Sequence, residues 1–135
     1  MKKLVFLIML LPVVVLSQNQ IALAVHDVPS SKGKISVAVY NTKEGFLKFD
    51  NVFKSDTTIA QKGITHIAIK GLPKGEYALA IFHDENGNDR LDTNWLGIPK
   101  EKVAFSNAKM KTFGPPAFKE CAFKVEKDTK ITVSL

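Results

Sequence analysis

The segment Lys34-Ile35-Ser36-Val37-Ala38-Val39-Tyr40 alternates large apolar residues with smaller or polar ones. Side chains of a β-strand point alternately to its two faces, so a period of two predicts a strand with one buried face. The same alternation recurs at residues 21–25, 67–69, 77–81 and 131–135. The chain is therefore predicted to be mostly β.

Groups of glycine, proline and polar residues separate these segments, at 29–33, 71–75, 85–89, 114–116 and 126–128, and such groups are typical of turns. About seven strands at this spacing predict one antiparallel β-sandwich, immunoglobulin-like or prealbumin-like, with Greek-key connections. Two stretches lack the alternation. Residues 42–56 are expected to form a crossover with a helical turn, and residues 93–118 one long structured loop.

The first seventeen residues have the pattern of a secretory signal peptide. Lys2 and Lys3 precede an apolar run from Leu4 to Leu16, and small residues Val15 and Ser17 fit a cleavage site. The run is shorter than the roughly 20 apolar residues of a membrane-spanning helix, which is the alternative. We therefore expect residues 1–17 to be removed, residues 18–135 to form one domain without a membrane anchor, and the protein to be secreted or periplasmic.

The charged residues disfavour a nucleic-acid partner. The chain has 19 Lys and Arg against 13 Asp and Glu, and Arg90 is its single arginine. Arginine supplies the bidentate contacts that read bases and clamp phosphates, so a surface of lysines is expected to be mainly solvated. The single cysteine, Cys121, alternates with Phe123 and Val125 and is expected to be a buried core thiol.

The loop Asp84-Glu85-Asn86-Gly87-Asn88-Asp89-Arg90-Leu91-Asp92 follows a predicted strand. Oxygen-bearing side chains stand at Asp84, Asn86 and Asn88, and Asp92 comes four residues later. A tight loop with this spacing directs oxygens toward one hard cation, with the carbonyl of Arg90 as a further ligand. Calcium accepts six to eight oxygen ligands in irregular geometry. The spacing therefore predicts a structural calcium site.

The loop differs from an EF-hand. The sixth position, glycine in an EF-hand, is Asp89, and the twelfth position, a bidentate glutamate there, is Trp95. Its spacing is similar to Asp-x-Asn-x-Asn-x-x-x-Asp loops of some extracellular prealbumin-like and bacterial surface modules. The alternative is a metal-free polar turn, whose Asn and Asp side chains bond their own backbone.

Five residues are further predicted to contact a ligand or a partner. Pairing of Lys70 with Glu76 in a hairpin would place His83 at the end of an inward-facing row, beside the acidic loop. The alternative is a rim histidine satisfied by loop backbone. The aromatic residues of the long loop are Trp95, Phe105, Phe113 and Phe118. They either face a partner or cover one open end of the sandwich.

An ordered series of short motifs runs through most of residues 18–135. Its members are Gly71-Leu72-Pro73-Lys74-Gly75-Glu76-Tyr77, His83-Asp84-Glu85-Asn86-Gly87-Asn88, Leu91-Asp92-Thr93-Asn94, Gly97-Ile98-Pro99-Lys100-Glu101, Phe105-Ser106-Asn107 and Gly114-Pro115-Pro116-Ala117-Phe118. The series resembles the bacterial family called domain of unknown function 2141 (DUF2141). The resemblance implies an exported single-domain β-sandwich with no established activity and no catalytic residues to transfer. The Leu-Pro-x-Gly-x-Tyr element also resembles a structural hairpin of carboxypeptidase-regulatory-like and transthyretin-like sandwiches.

Three functions are compatible with these patterns. The first is an exported binding or adaptor module with structural calcium, whose aromatic loop contacts an envelope or extracellular protein, a peptide or a glycan. The second is a metal-free structural or protein-interaction module. The third is a small hydrolase using Asp84, Asp92 and Glu101, but the chain has no nucleophile motif and we expect a protein that is not an enzyme.

Overall fold

The computed structural model describes residues 18–135 and consists mainly of β-strands. The strands are β1 (Asn19–Val28), β2 (Lys34–Tyr40), β3 (Lys54–Ile59), β4 (Gly63–Leu72), β5 (Gly75–Asp84), β6 (Val103–Phe105), β7 (Phe123–Val125) and β8 (Thr129–Ser134). One short helix, α1 (Phe118–Cys121), precedes β7. The predicted signal peptide lies outside the described residues. Within residues 18–135, no helix is long and apolar enough to cross a membrane.

The strands form the two sheets of a sandwich, which confirms the predicted fold class. One sheet has the order β4-β1-β8, and the other has the order β3-β2-β5, with β6 and β7 both pairing with β5. The pairs are antiparallel except β1 with β8, which run parallel, as in the register Leu23 to Ile131. The terminal strand thus completes the smaller sheet beside the first strand.

Two clusters of buried side chains hold the sandwich together. The main core lies between the sheets and includes Leu23, Val37, Ile69 and Leu79. A smaller cluster covers the outer face of the larger sheet, and its buried members are Tyr40, Ala78, Phe105, Phe118 and Cys121. The main core draws on strands from the beginning to the end of the described residues, so the two sheets share one packed interior.

Cys121 belongs to the smaller cluster and is fully buried, as predicted. Burial raises the pKa of its thiol to about 11. A thiol with that pKa is almost entirely protonated near neutral pH, so Cys121 serves here as a small apolar residue.

The hairpin predicted across residues 72–74 is wrong. Strand β4 lies in the three-stranded sheet and β5 in the other, so Lys70 does not pair with Glu76. The connection arches between the sheets, and the Tyr77 hydroxyl donates a hydrogen bond of 2.7 Å to the Pro73 carbonyl. A short turn that contains Pro and Gly can have the same sequence in a hairpin and in an arch. The two differ only in the strands with which the flanking segments pair, and the turn sequence does not determine that.

The long loop predicted at residues 93–118 is divided by β6. The register Phe82 to Val103 places residues 85–102 beyond the end of β5 at Asp84. Residues 106–117 leave β6 toward the opposite end, where the residues after Tyr40 also lie and Phe46 packs against Phe118. That second end contains residues 41–53, which include a 3₁₀ turn at Phe49–Asn51, as the expected helical turn requires. The expected crossover at 42–56 is wrong, because this segment joins the neighbouring antiparallel strands β2 and β3 and residues 54–56 belong to β3.

Gly33 brings the start of β2 against the end of β5. Its φ is +66°, and a Cβ there would lie 2.7 Å from the carbonyl oxygen of Glu85 and closer still to that of Asp84. A matched control is Gly87, which has a φ of +67° but nothing within 4 Å of the same Cβ position. The two glycines therefore share a backbone conformation and differ in the space around them.

We predict that Gly87→Ala lowers the free energy of unfolding by about 1 kcal/mol and Gly33→Ala by about 3 kcal/mol or more. The first change adds left-handed strain only, whereas the second adds a clash with backbone atoms. Urea denaturation of residues 18–135 measures both. Equal losses for the two variants would contradict the close approach at Gly33.

Candidate functional site

The 84–92 loop lies at the end of the larger sheet, where β5 stops and β2 begins. Lys34 pairs with Asp84 in the register of the sheet, and the Lys34 ammonium forms an ion pair with the Asp89 carboxylate. The backbone N–H of His83 donates to the carbonyl of Lys102 at 3.0 Å, which continues the β5–β6 pairing to the base of the loop. Both ends of the 85–102 segment are thus fixed by sheet hydrogen bonds.

Asp84 organises the loop from a fully buried position. One oxygen of its carboxylate accepts the backbone N–H of Asn88 at 3.2 Å, and the other accepts the N–H of Asp89 at 2.8 Å. Asp89 has a φ of +63°, the left-handed conformation that glycine supplies at the sixth position of calcium loops. Asp89 therefore makes the sharp turn at the position where an EF-hand has a glycine.

Asp92 closes the loop. Its two carboxylate oxygens accept hydrogen bonds from the side-chain amides of Asn86 at 2.7 Å and Asn88 at 2.9 Å. The bonds from Asn88 and Asn86, with smaller contributions from the charges of Arg90 and Lys100, lower the pKa of Asp92. The carboxylate is therefore held in its ionised form.

The remaining oxygens of the loop bond its own backbone. The side-chain oxygen of Asn86 accepts the N–H of Asn88 at 3.2 Å, and that of Asn88 accepts the N–H of Arg90 at 3.0 Å. Arg90, predicted as a carbonyl ligand, enters this network through its backbone N–H. All five residues predicted to form the ion site thus belong to one hydrogen-bonded loop.

These contacts permit a direct comparison with what a cation requires. Amide N–H groups, not oxygens, face Asp92, so both Asn side chains would have to rotate by half a turn to direct their oxygens at an ion beside it. Each rotation gives up two hydrogen bonds, the one that the amide oxygen accepts from the backbone and the one that the amide N–H donates to Asp92. In the part of the chain that the structure describes, no three His, Cys, Asp or Glu side chains form a metal-binding group. As the loop stands, the side-chain oxygens of Asn86 and Asn88 are taken up by backbone N–H groups.

Glu101 is a member of this site that the loop spacing does not predict. Its carboxylate accepts the backbone N–H of Asp92 at 3.1 Å. Partial burial raises the pKa of Glu101, and the nearby Asp92 and Asp84 add to the rise. Glu101 lies nine residues beyond Asp92, and it reaches the loop because β6 returns alongside β5. Glu101 could therefore be identified only by predicting that β6 pairs with β5.

His83 is fully buried, so the prediction that it contacts a partner is wrong. Its Nε2 lies 2.7 Å from the Lys32 carbonyl, and a carbonyl only accepts, so Nε2 carries the proton. Among residues 18–135, Nδ1 has no hydrogen-bond partner, and it lies 3.6 Å from Glu85 Oε1. The contact of Nε2 with loop backbone agrees with the alternative of a rim histidine.

The four predicted aromatic contacts separate into two groups. Phe105 and Phe118 are only 7% and 8% exposed, because both pack into the smaller cluster, and their predicted role in partner contact is wrong. Trp95 and Phe113 are 91% and 101% exposed. They lie at opposite ends of the sandwich, since Trp95 precedes β6 and Phe113 follows it. Trp95 is therefore the exposed aromatic residue that shares an end with the 84–92 loop.

The comparison with known families gives one result. The family described as "Uncharacterized protein conserved in bacteria (DUF2141)" matches residues 23–133, most of the chain. No curated protein and no solved structure matches.

We predict that Asn86→Ala with Asn88→Ala raises the pKa of Asp92 toward its ordinary value, because both amide hydrogen bonds are lost. A lowered folded-state pKa contributes stability above the unfolded-state pKa, and this contribution disappears as pH falls through the folded-state pKa. The double variant should therefore lose stability near neutral pH and little at strongly acid pH. Carboxyl-carbon NMR titration measures the pKa.

Glu120 provides an internal control for that titration. Its pKa is also lowered, by Lys111 and the backbone N–H of Ala117, at the opposite end of the sandwich. Glu120 should titrate identically in both proteins. An Asp92 pKa that is the same with and without the two asparagines would contradict the described network.

Proposed function

We propose that this chain, which belongs to the DUF2141 family, is an exported β-sandwich binding or adaptor module with a structural calcium site in the 84–92 loop. The observation that carries the proposal is that the oxygen-bearing side chains of Asp84, Asn86, Asn88 and Asp92 all meet in one hydrogen-bonded loop. Catalysis is not part of the proposal.

Calcium suits this loop for reasons of charge and geometry. Asp84 and Asp92 supply two negative charges, and the rotated amides of Asn86 and Asn88 supply neutral oxygens. Calcium tolerates such irregular sets of oxygen ligands, and the carbonyl of Arg90 can complete them. The attraction between a divalent cation and the carboxylates of Asp84 and Asp92 would offset the cost of rotating the amides.

In this proposal the ion stabilises the conformation of the loop and of the segment that follows it. The carbonyl of Asp92 accepts the N–H of Lys100 at 2.8 Å, and the N–H of Asp92 donates to Glu101. Asp92 therefore connects the 84–92 loop to the base of the segment that carries Trp95. An ion bound to Asp92 would stabilise that segment in one conformation, and the partner would meet a preformed surface.

The proposed location is the periplasm or the outside of the cell, supported by the signal-peptide pattern of residues 1–17. The proposed partners are an envelope or extracellular protein, a peptide or a glycan. Exposed Trp95 supports a role in contact, because tryptophan is enriched where binding surfaces have their strongest contacts.

A metal-free module is the second candidate, and one observation favours it. The amide groups of Asn86 and Asn88 already satisfy both oxygens of Asp92. A loop with its polar groups so paired needs no ion to keep its shape. The two candidates differ in whether calcium stabilises the folded domain.

We predict that millimolar calcium raises the melting temperature of residues 18–135 relative to chelator. An ion that binds only the folded state adds about 2.7 kcal/mol at 100 times its Kd, a shift of several degrees. Asp92→Asn should abolish the shift, since it removes charge and keeps the shape of the side chain. Asp50→Asn, at the opposite end, should retain it. Equal melting temperatures with and without calcium would refute the ion site and leave the metal-free module.

We also predict that bacteria producing the full chain release a protein that begins at Gln18. Intact mass and N-terminal sequencing of the periplasmic and extracellular fractions test this. Leu10→Arg, which interrupts the apolar run, should keep the precursor inside the cell. An uncleaved chain retained in the membrane would contradict the proposed export.

A further inference from the structure

Strand β8 is an open edge of the smaller sheet. That sheet has the order β4-β1-β8, and within residues 18–135 β8 pairs with β1 alone. The register of this pair runs without a break from Thr129 to Ser134. The strand has no proline, and Lys130 is its single charged residue. It therefore lacks most of the features that keep an edge strand from pairing with another chain.

The pairing with β1 determines which backbone groups of β8 point outward. The N–H of Leu135 donates to the carbonyl of His26 at 3.1 Å. Alternate residues of a parallel pair bond to the same neighbour, so the odd-numbered residues of β8 face β1. Lys130, Thr132 and Ser134 therefore direct their N–H and C=O groups away from the sheet. The side chains of these three residues are exposed on its outer face.

The other edges of the sandwich are less open. The Lys54 ammonium of β3 donates to the carbonyl of Lys70 on β4, so these two edge strands lie against each other. The register of β1 with β4 also shifts near both of its ends. In the larger sheet, β6 has only three residues. Strand β8 therefore offers the most regular run of outward backbone groups among the described strands.

The outer face of β8 has opposite charges at its two ends. Lys130 is exposed near the start of the strand. Near its end, the hydroxyl of Ser134 donates to the carboxylate of Asp27, and His26 lies beside Ser134 in the register. Asp128, in the turn before the strand, accepts a backbone N–H of β1 at 3.0 Å. The edge thus presents a cation at one end and an anion at the other.

We propose that two copies of this chain pair through β8, antiparallel about a two-fold axis. The pairing joins their three-stranded sheets into one continuous sheet. Thr132 lies opposite Thr132 of the second copy, and Lys130 lies opposite Ser134 of the second copy. Residues with outward groups then face each other, so each of their N–H and C=O groups has a partner. The apolar residues between them stay on the inner faces.

The charges select this register over its neighbours. Lys130 of each copy reaches Asp27 of the other beside Ser134, and the two-fold axis forms this ion pair twice. Placing Lys130 opposite itself would bring two cations together, and placing Asp128 opposite Ser134 would bring two carboxylates together. Residues 126–128 lie outside the paired segment. A second copy fits because the donors, acceptors and charges of this edge complement one another under two-fold symmetry.

The inference goes beyond the proposed function. It requires neither calcium nor export, because the paired strand contains none of the residues of the 84–92 loop. Dimerisation and calcium binding are therefore separate outcomes. Association in chelator would support the inference even if calcium caused no thermal shift.

Sedimentation equilibrium of the protein, purified from bacteria that produce the full chain, measures the association from about 10 µM to 1 mM. We expect a reversible equilibrium between monomer and dimer. Hydrogen exchange at both ends of this range identifies the surface. The amides of Lys130, Thr132 and Ser134 should become protected only in the dimer. Those of Ile131 and Val133, which face β1, should be protected in both states.

Substitutions on the outer face test the register. Lys130→Glu should weaken the dimer about tenfold or more, because two attractions become repulsions. Lys130→Gln and Asp27→Asn should each weaken it about fivefold, and the double variant no further, because both remove the same ion pair. Lys70→Gln, a control on the opposite edge strand, should change nothing. Thr132→Pro removes an outward N–H, which an edge strand tolerates, and should abolish the dimer.

Three results would overturn the inference. The first is a protein that stays monomeric at about 1 mM, which would leave β8 to a strand of a different protein. The second is a dimer in which the amides of Lys130, Thr132 and Ser134 exchange as fast as in the monomer, which would place the contact on another surface. The third is a dimer that Lys130→Glu does not weaken, which would contradict the register.

Discussion

The carboxylate of Asp84 is fully buried, and its two oxygens accept the backbone N–H groups of Asn88 and Asp89. A buried carboxylate is costly unless it is paired and hydrogen-bonded, so the chain after β5 must fold back over it. That return makes Asn86 and Asn88 reach Asp92, and Asp92 in turn bonds to Lys100, at the base of residues 93–99, which carry Trp95. The close approach of Gly33 and the hydrogen bond from His83 to Lys32 fix the neighbouring turn on the same end.

The two ends of the sandwich use their aromatic residues differently. At the end that contains α1, Phe46 packs edge-on against Tyr40 and Phe118 and extends the smaller cluster. At the end that contains Asp84, polar hydrogen bonds replace apolar packing, and Trp95 is left in solvent. The first arrangement stabilises the fold, whereas the second leaves a large apolar side chain exposed. The proposed calcium site lies at the second end, where the polar hydrogen bonds are concentrated.

Alternation of apolar residues predicted β1, β2, β4, β5 and β8, because each of them has one face in a core. It did not predict β3 or β6, which lie in the stretches that lack the alternation. The arch between β4 and β5 was not predictable, since its turn residues do not determine which strands pair. The spacing of Asp84, Asn86, Asn88 and Asp92 predicted a shared loop, but not that amide N–H groups face Asp92. Burial of Phe105 and Phe118 depends on a second cluster outside the sheet, which no local period reveals. Glu101 joins the loop only through strand pairing.

Hydrogen exchange at the amides of Asn88 and Asp89 tests most directly the central claim that Asp84 holds this end together. Both amides are in a loop and donate to the carboxylate of Asp84, and the N–H of Asn88 is shared with the side-chain oxygen of Asn86. We expect them to be protected in residues 18–135 and to lose protection in Asp84→Asn, together with the amides of Asp92 and Lys100, while β1 and β2 stay protected. Free exchange of Asn88 and Asp89 in the unaltered protein, with the strands still protected, would contradict the account.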